Sequence, residues 1–352
     1  MWMIVDRQTG QTRRGVVVAG SDGQPSFRAL DPDSSADPPD GPRGVDGIAH
    51  VLPHGGEIVR DGAQRIDARV LDGIATAGGF LSEESRQVLA AVGRAVEDAP
   101  HVPQVLLCET AFFTALPEEA ALYAVPYRFS RQGIRRYGGD GVAHEWAWRQ
   151  AAALRPDGAR RVVSLRLGNR CNVAAIHDGK PVDTSIGLTP AEGLPTDVAS
   201  GDVDPTLVFE LHSRGYTLTE IYELLCRGSG FSGYCGRPTG FLDLLRRDDA
   251  VTAEVRAIFF ASLAKYLGAT LAALDGADIL AIGADAGWEA LDGALEACRR
   301  LSFLGVKVRA PANRKGHDPV VISGPDSSIT VVFLPAPRWM ILFEQAQAQV
   351  HR

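Results

Sequence analysis

The segment RRYGGDGVAHEW, residues 135 to 146, combines glycines with side chains that could handle a phosphate group. Two arginines and a tyrosine precede a turn of three glycines around Asp140, and a helical pattern begins near His144. Glycine turns before a helix allow backbone amides to approach an anion closely, because no Cβ stands in the way. The same composition also suits an ordinary flexible turn, so the segment alone leaves both interpretations open.

Alternating apolar runs and turn residues predict the elements that position this segment. Residues 2–5 and 15–19 are short β-branched runs split by a polar turn, which predicts a hairpin. Residues 31–46 are rich in Pro, Asp, Ser and Gly and predict an exposed loop. Helical spacing over 81–98 predicts a helix, and QVLLCE, residues 104–109, predicts a buried strand. This order is typical of an α/β layer.

The second half of the sequence repeats this pattern. Residues 161–168 predict a strand, and residues 172–185 predict a hairpin that turns at Asp178 and Gly179. Helices are predicted at 205–214, 217–226, 250–275, 286–302 and from 338. Strands are predicted at 278–283 and near 305–309, followed by a hairpin at 320–334. The simplest architecture is two related α/β halves joined near residue 111.

Composition argues against several classes of partner. With 352 residues, 45% hydrophobic and 22% charged, the chain is expected to form two globular domains. The net charge of -7 favours neither a nucleic acid nor an anionic membrane as a partner. Five scattered cysteines without zinc-ligand spacing indicate reduced thiols. No signal peptide is recognised, and no apolar stretch is expected to approach the length needed to span a bilayer, so we expect a cytoplasmic protein.

Several stretches, taken together, resemble the acetate kinase family. Residues 109 to 144, ETAFFTALPEEAALYAVPYRFSRQGIRRYGGDGVAH, resemble D-T-A-F-H-x-T-M-P, then Y-A-L-P-Y, then G-[IV]-R-[RK]-Y-G-F-H-G-T-S-H. Residues 167 to 194 resemble the run that begins L-G-N-G-x-S and ends S-M-G-F-T-P-L-E-G-L. SGDVDP, GADILAIG and ISGPDSSITVVFLP continue the resemblance in the same order, and PHGGE is similar to the end of H-R-V-V-H-G-G-E.

The resemblance implies an α/β fold of two actin-like (ribonuclease H-like) domains around a central cleft. The N-terminal domain is expected over residues 1–111 plus 337–352, and the C-terminal domain, with a homodimer interface, over 112–336. The implied reaction transfers the γ-phosphoryl group of Mg-ATP to a short-chain carboxylate, giving acetyl phosphate and ADP from acetate. Such chemistry depends on positioning and charge neutralisation, so it needs cations, a metal-holding carboxylate and backbone amides around the phosphates.

The resemblance also implies that most catalytic charges are substituted in this chain. Val51 and Ala199 stand where the family patterns have two arginines, and neither side chain can donate a hydrogen bond. Asp140 replaces the transition-state histidine, and Arg338 replaces a metal-linked glutamate. Glu109 replaces an aspartate expected to act on the metal or the nucleophile, so it is the one remaining candidate for a catalytic carboxylate. Asp140 as a turn residue and Glu109 as a helix cap are the structural alternatives.

The expected nucleotide site keeps its glycines but not all of its chemistry. Gly168 and Asn169 remain from the phosphate loop, where Arg170 replaces a second glycine, and Gly283 remains from a later loop. The adenosine contacts are lost in PTGFLDL, residues 238–244. Arg166 and Arg338, with Arg170, could supply replacement positive charge or could pair with carboxylates. The walls of the expected substrate pocket are Val51, Pro53, Gly139, Pro190 and Ala199.

Three hypotheses follow from this pattern of kept scaffold and lost charge. The first is a pseudoenzyme with the fold of an acetate kinase and a binding or regulatory role. The second is an active carboxylate kinase with a rebuilt site. The third is an assembly subunit that pairs with a true acetate kinase. Under the first hypothesis, the glycine turn at residues 138–141 is a former phosphate-handling loop that now serves the fold.

Overall fold

The computed structural model describes residues 1–8, 11–19, 25–30, 44–55, 59, 62–67, 70, 83–155 and 158–350. The chain forms two compact units. Unit 1 comprises Met1–Thr114, Gly139–Trp146 and Arg338–Arg352, and unit 2 comprises Ala115–Gly138 and Ala147–Pro337. The predicted fold class is confirmed. The domain boundaries given above stay a prediction, and the compact units differ from them mainly in that Gly139–Trp146 belongs to unit 1.

Each unit contains one six-stranded sheet. The strands of unit 1 are β1 (Trp2–Gln8), β2 (Gln11–Ala19), β3 (Pro25–Leu30), β4 (Gly47–Leu52), β5 (Ala63–Arg65) and β6 (Gln104–Cys108). The strands of unit 2 are β7 (Arg161–Leu167), β8 (Asn172–His177), β9 (Lys180–Thr184), β10 (Ile279–Ala284), β11 (Val320–Val321) and β12 (Thr330–Leu334).

Ten α-helices lie in the residues that the structure describes. They are α1 (Glu83–Asp98), α2 (Glu118–Ala121), α3 (Gly141–Leu154), α4 (Thr206–Ser213), α5 (Leu218–Arg227), α6 (Gly230–Cys235), α7 (Phe241–Arg246), α8 (Ala250–Ala273), α9 (Leu291–Arg299) and α10 (Arg338–Val350). The structure confirms the main predicted elements. They are both hairpins, the long helices and the strands predicted at 104–109, 161–168 and 278–283.

The two sheets share one topology. Their strand orders are β3-β2-β1-β4-β6-β5 and β9-β8-β7-β10-β12-β11. In unit 1, β3, β2 and β1 form an antiparallel meander, β1, β4 and β6 pair parallel, and β5 pairs antiparallel at the far edge. In unit 2, β9, β8 and β7 form the meander, β7, β10 and β12 pair parallel, and β11 pairs antiparallel at the far edge. The carboxyl ends of the parallel strands therefore meet at one edge within each unit, where functional side chains usually collect in α/β sheets.

Helices cover both faces of the sheet in unit 1. Along β6, Val105 and Leu107 pack in one apolar cluster with Leu342 of α10, while Leu106 packs in another with Val88 of α1. Successive strand residues point to opposite faces, so a continuously apolar strand serves two cores at once. Each fully buried leucine contributes about 1.5–3 kcal/mol to the stability of the unit.

The core of unit 2 is built around α8. Phe259, Leu263 and Leu267 of this helix are buried in one cluster with Leu165 of β7 and Ile282 of β10. By length and composition alone, α8 is the one helix of the described residues that could cross a membrane. The prediction that no apolar stretch approaches that length is thus wrong for this helix. Its buried face is typical of a core helix, which explains the composition.

Two further sequence predictions need correction. No strand forms near 305–309, where Val308 makes only an isolated bridge to Ser323. Pro311 lies three residues after Val308 and has no N–H with which to extend the pairing. The short helices α2, α6 and α7 are absent from the prediction, because four or six residues carry too little periodicity. The predicted loop at 31–46 lies outside the described residues up to position 43.

Candidate functional site

Two acidic side chains lie at the edge of the unit 1 sheet where the parallel strands end. Asp6 of β1 is in register with Val51 of β4, and Glu109 directly follows β6. The Glu109 N–H donates to Leu52 O over 3.0 Å, which holds the residue beside the end of β4. Asp6 was not recognised from the sequence, where the turn was expected to begin at this residue. Instead, β1 continues to Gln8 and places Asp6 within a strand.

Asp140 joins this edge through a close backbone approach. It has φ of 52°, a left-handed conformation that aspartate tolerates better than most residues. The Gly141 N–H donates to Glu109 O over 2.8 Å, and a Cβ on Gly141 would lie 2.6 Å from that same oxygen. Glycine is therefore required here by backbone contact. The turn GGDG fixes Asp140 beside Glu109 at the start of α3, whatever else it does.

Arg338, the first residue of α10, holds the three carboxylates together. Its Nε donates to Asp6 Oδ2 over 3.0 Å, its Nη1 donates to Asp140 Oδ1 over 3.1 Å, and its Nη2 donates to Glu109 Oε1. The Glu109 side chain is only 3% exposed and that of Arg338 is 17% exposed. We call these four residues the Arg338 cluster. A charge-assisted contact of this kind is about twice as strong as a neutral hydrogen bond.

The charge of the Arg338 cluster is unbalanced. Three carboxylates surround one guanidinium, and among the described residues Asp6 Oδ1 and Glu109 Oε2 have no hydrogen-bond partner. Burial raises the pKa of Glu109, and the charges of Asp140 and Asp6 raise it further, while the Arg338 guanidinium opposes this. Glu109 therefore holds its proton to a higher pH than an ordinary glutamate.

The Arg338 cluster does not fit a divalent cation in its present arrangement. Carboxylate oxygens are suitable ligands for Mg²⁺. Here, however, one oxygen of each carboxylate already accepts from the Arg338 guanidinium, which stands among them as their common cation. Within the described ranges, no group of three or more His, Cys, Asp or Glu side chains is arranged to hold a metal ion.

The histidine near the glycine turn is buried beside an aromatic ring. His144 is fully buried in α3, and its ring meets Phe113 edge to face at 5.8 Å. A histidine that transfers protons to a substrate needs access to it. Its position therefore agrees with the structural interpretation of the motif.

A second charged pair lies at the corresponding edge of unit 2. Arg166 of β7 is in register with Gly283 of β10, and Asp285 follows β10 with its N–H donating to Leu167 O over 3.0 Å. The Arg166 guanidinium forms a salt bridge with the Asp285 carboxylate. Arg166 thus pairs with a carboxylate, the second of the two roles considered for it. Asp285 was not recognised from the sequence.

The Arg166–Asp285 pair covers the two glycines expected to approach a phosphate. A Cβ added to Gly168 would lie 2.5 Å from Asp285 Oδ2, and one added to Gly283 would lie 2.9 Å from Arg166 Nη1. The backbone faces of both glycines are therefore occupied by side chains of this chain. In this arrangement, the residues do not fit a phosphate of Mg-ATP against these glycines.

The remaining candidates of the nucleotide loop have structural contacts. Asn169 Oδ1 accepts from the N–H of Phe241, the first residue of α7, over 2.9 Å. An amide oxygen in this position caps the start of the helix. Burial raises the pKa of Asp197, and the nearby Arg170 charge opposes this, so Arg170 faces an acidic residue of its own unit.

The five expected wall residues of the substrate pocket are divided between the units. Val51 is buried in the apolar cluster that β4 shares with α10. Pro53 follows β4, and Gly139 is buried next to Asp140. In unit 2, Pro190 is exposed, and Ala199 is buried in a turn where its N–H donates to Thr196 Oγ1 over 2.9 Å. Their role as pocket walls stays a prediction.

Known structures define the class of fold. An acetate kinase from Porphyromonas gingivalis superposes with a TM-score of 0.78 at 24% identity, covering 99% of each chain. A propionate kinase from Francisella tularensis gives a TM-score of 0.82 at 22% identity, again over 99% of each chain. The fold is therefore the two-domain actin-like fold of these kinases.

Sequence relatives define the family. A model of the Acetokinase family matches residues 36–342. The acetate kinase of Bacteroides fragilis is 31% identical over 312 residues, which are 86% of this chain and 78% of the relative. The acetate kinase of Sulfurimonas denitrificans is 34% identical over 275 residues, 77% of this chain and 70% of the relative. This chain belongs to the acetokinase family.

Proposed function

We propose that this member of the acetokinase family is catalytically impaired and serves as a binding or regulatory protein. The observation that carries the proposal is the Arg338 cluster, in which a guanidinium of the chain itself occupies the carboxylates that a metal-dependent kinase needs. Family membership implies Mg-ATP and a short-chain carboxylate as substrates. In this chain the three carboxylates instead share the Arg338 guanidinium, and Arg166 is paired with Asp285.

The physical chemistry of phosphoryl transfer supports this proposal. Catalysis there comes mostly from positioning and from cations that stabilise the charge of the transferring group. In the Arg338 cluster, the positive charge is already shared by three buried carboxylates, and Asp140 adds an anion where the family pattern has a hydrogen-bond donor. A divalent cation would have to displace the Arg338 guanidinium before Glu109 could bind it.

A direct assay tests the proposal. The purified protein is incubated with ATP, MgCl₂ and acetate or propionate, and acyl phosphate is trapped with hydroxylamine. An active acetate kinase is the positive control. We expect the same background signal from the wild-type protein and from Glu109→Ala. Turnover above background that is lost in Glu109→Ala and kept in the surface variant Arg214→Ala overturns the proposal, because Arg214 pairs with Glu210 on exposed α4.

We also propose that unit 2 carries a surface for self-association, in agreement with the homodimer that the sequence resemblance implies. Large apolar side chains on the neighbouring helices α4 and α5 are exposed: Phe209 by 72%, Leu218 by 65% and Tyr222 by 51%. A shallow cavity of about 440 Å³ lies along α5, lined partly by Leu224 within the helix and by Tyr216 just before it. Contiguous apolar surface on a soluble monomer usually marks an interface.

Sedimentation analysis distinguishes this surface from an isolated exposed residue. We expect a dimer that Phe209→Glu together with Leu218→Glu converts to a monomer. The matched control is Phe303→Glu, because Phe303 is also exposed in unit 2, by 78%, but lies outside α4 and α5. A monomeric wild-type protein, or a dimer that survives both α4 and α5 substitutions, refutes the proposed surface. A cytoplasmic location stays a prediction from the sequence.

A further inference from the structure

The Arg166–Asp285 pair is asymmetric in burial. The Arg166 side chain is 2% exposed, whereas the Asp285 side chain is 31% exposed. Arg166 Nη1 is buried and has no hydrogen-bond partner in the part of the chain that the structure describes. An unsatisfied buried donor of a charged group costs stability, so its retention calls for an explanation.

The two residues also differ in how firmly the backbone holds them. Arg166 lies inside β7, in register with β10 on one side and with Asn172 of β8 on the other. Asp285 lies just beyond the end of β10, before the turn that contains Gly287. The part-exposed side chain of a residue beyond the strand end can rotate toward water, but the buried guanidinium of a residue inside the sheet cannot follow it.

We propose that the Asp285 carboxylate competes with an external anion for the Arg166 guanidinium. A phosphate-type oxyanion binds Arg166 only when the Asp285 side chain turns away. A guanidinium donates to carboxylate and phosphate oxygens in the same geometry, so one anion can replace the other. The three atoms nearest to a Cβ built on Gly168 all belong to Asp285, so a turn of this side chain clears the face of Gly168, while Gly283 stays in contact with Arg166. The inference rests on the proposed function, since it names the ligand class and the contact that controls its binding.

The size of the expected effect follows from the closed contact. A buried charge-assisted hydrogen bond typically keeps the open form at about 1–10% of molecules. The apparent affinity for the anion is reduced by that same fraction. Removal of the competing carboxylate should therefore tighten binding of a small oxyanion about ten- to a hundredfold.

The experiment measures binding of inorganic phosphate to the full-length protein by calorimetry and thermal shift, with EDTA present and ionic strength held constant by NaCl. Asp285→Ala removes the competitor, and Asp285→Asn keeps its shape without its charge. Asp292→Asn is the matched control for net charge, because Asp292 is exposed near the start of α9 in the same unit. Arg166→Gln in the Asp285→Asn background removes the proposed ligand of the anion.

We expect both Asp285 variants to bind phosphate at least tenfold more tightly than the wild-type protein and the Asp292 control, and the double variant to lose this gain. Equal affinity in wild-type and Asp285 variants, or a gain that survives Arg166→Gln, overturns the inference. Absence of phosphate binding by a folded Asp285→Asn protein also overturns it. None of these outcomes depends on kinase turnover, so failure here is distinguishable from failure of the proposed function.

Discussion

Replacement of Arg338 by alanine isolates the energy of the Arg338 cluster. The substitution removes the common partner of Asp6, Glu109 and Asp140 and leaves the three acids in place. Their side chains are 12%, 3% and 5% exposed, so water can replace little of the lost interaction. The cost therefore depends mainly on buried charge that is no longer compensated.

The expected loss is about 3–5 kcal/mol in the free energy of unfolding, the usual consequence of removing one partner from a buried ion pair. The matched control is Arg214→Ala, which breaks a salt bridge whose side chains are 66% and 57% exposed. Such an exposed pair contributes only about 0.2–1 kcal/mol. Both substitutions remove one guanidinium, so the difference between the two variants measures the effect of burial together with that of three carboxylate partners instead of one.

The pH dependence of this loss has a definite sign. The folded-state pKa of Glu109 is raised above its ordinary value of 4.5, so the folded protein binds more protons than the unfolded chain. The contribution of Glu109 is therefore most favourable below pH 4.5 and is lost as pH rises through the folded pKa. Arg338 opposes the raised pKa, so its removal should make stability fall more steeply with rising pH.

Urea denaturation of wild type, Arg338→Ala and Arg338→Ala/Glu109→Gln between pH 5 and 8 tests these expectations. The double variant should recover at least about 1 kcal/mol of the loss at pH 8, since it no longer buries the Glu109 charge. The reasoning is refuted if Arg338→Ala costs no more than Arg214→Ala. It is also refuted if the loss shrinks as pH rises.

Four further predictions concern residues other than Arg338. Burial lowers the pKa of His54 from 6.5 to about 4, so stability should fall by up to about 3 kcal/mol as pH drops from 6.5 to 4, and His54→Gln should abolish that dependence in urea titrations. Gly141→Ala should lower the unfolding free energy by about 1–3 kcal/mol because its Cβ meets Glu109 O. Gly93→Ala, with open space around its Cβ in α1, should instead raise it by about 0.5–1 kcal/mol. Burial raises the pKa of Cys108 to about 11, so peptide mapping should find iodoacetamide at pH 8 on the half-buried Cys226 well before Cys108.

The order of elements was predictable because each long strand and helix carries its own periodicity. The runs at 104–109 and 161–168 became β6 and β7, and the apolar helix at 250–275 became α8. The short helices α6 and α7 could not be found this way. The family resemblance covers the site motifs, and the matched family confirms it.

The partners within each charged group were not predictable from the sequence. Asp6 and Arg338 are 332 positions apart, and Arg166 and Asp285 are 119 apart, so no local pattern connects them. Arg338 was noted as a possible replacement cation. Its contact with Glu109 and Asp140 was not predictable, because it exists only when the fold brings the start of α10 to the ends of strands. A useful signal was available, because both missed acids, Asp6 and Asp285, lie just after a predicted strand.

The placement of α10 in unit 1 has a consequence for the order of events during synthesis. Helix α10 supplies Leu342 and Ala346 to the core that β1, β4 and β6 begin, yet the ribosome makes it only after all of unit 2. At about 5–20 residues per second, the first strands wait on the order of ten seconds or more for their last helix. During that interval the unit 1 sheet lacks the apolar side chains of α10, so we expect chaperones to bind the nascent chain mainly through its N-terminal strands.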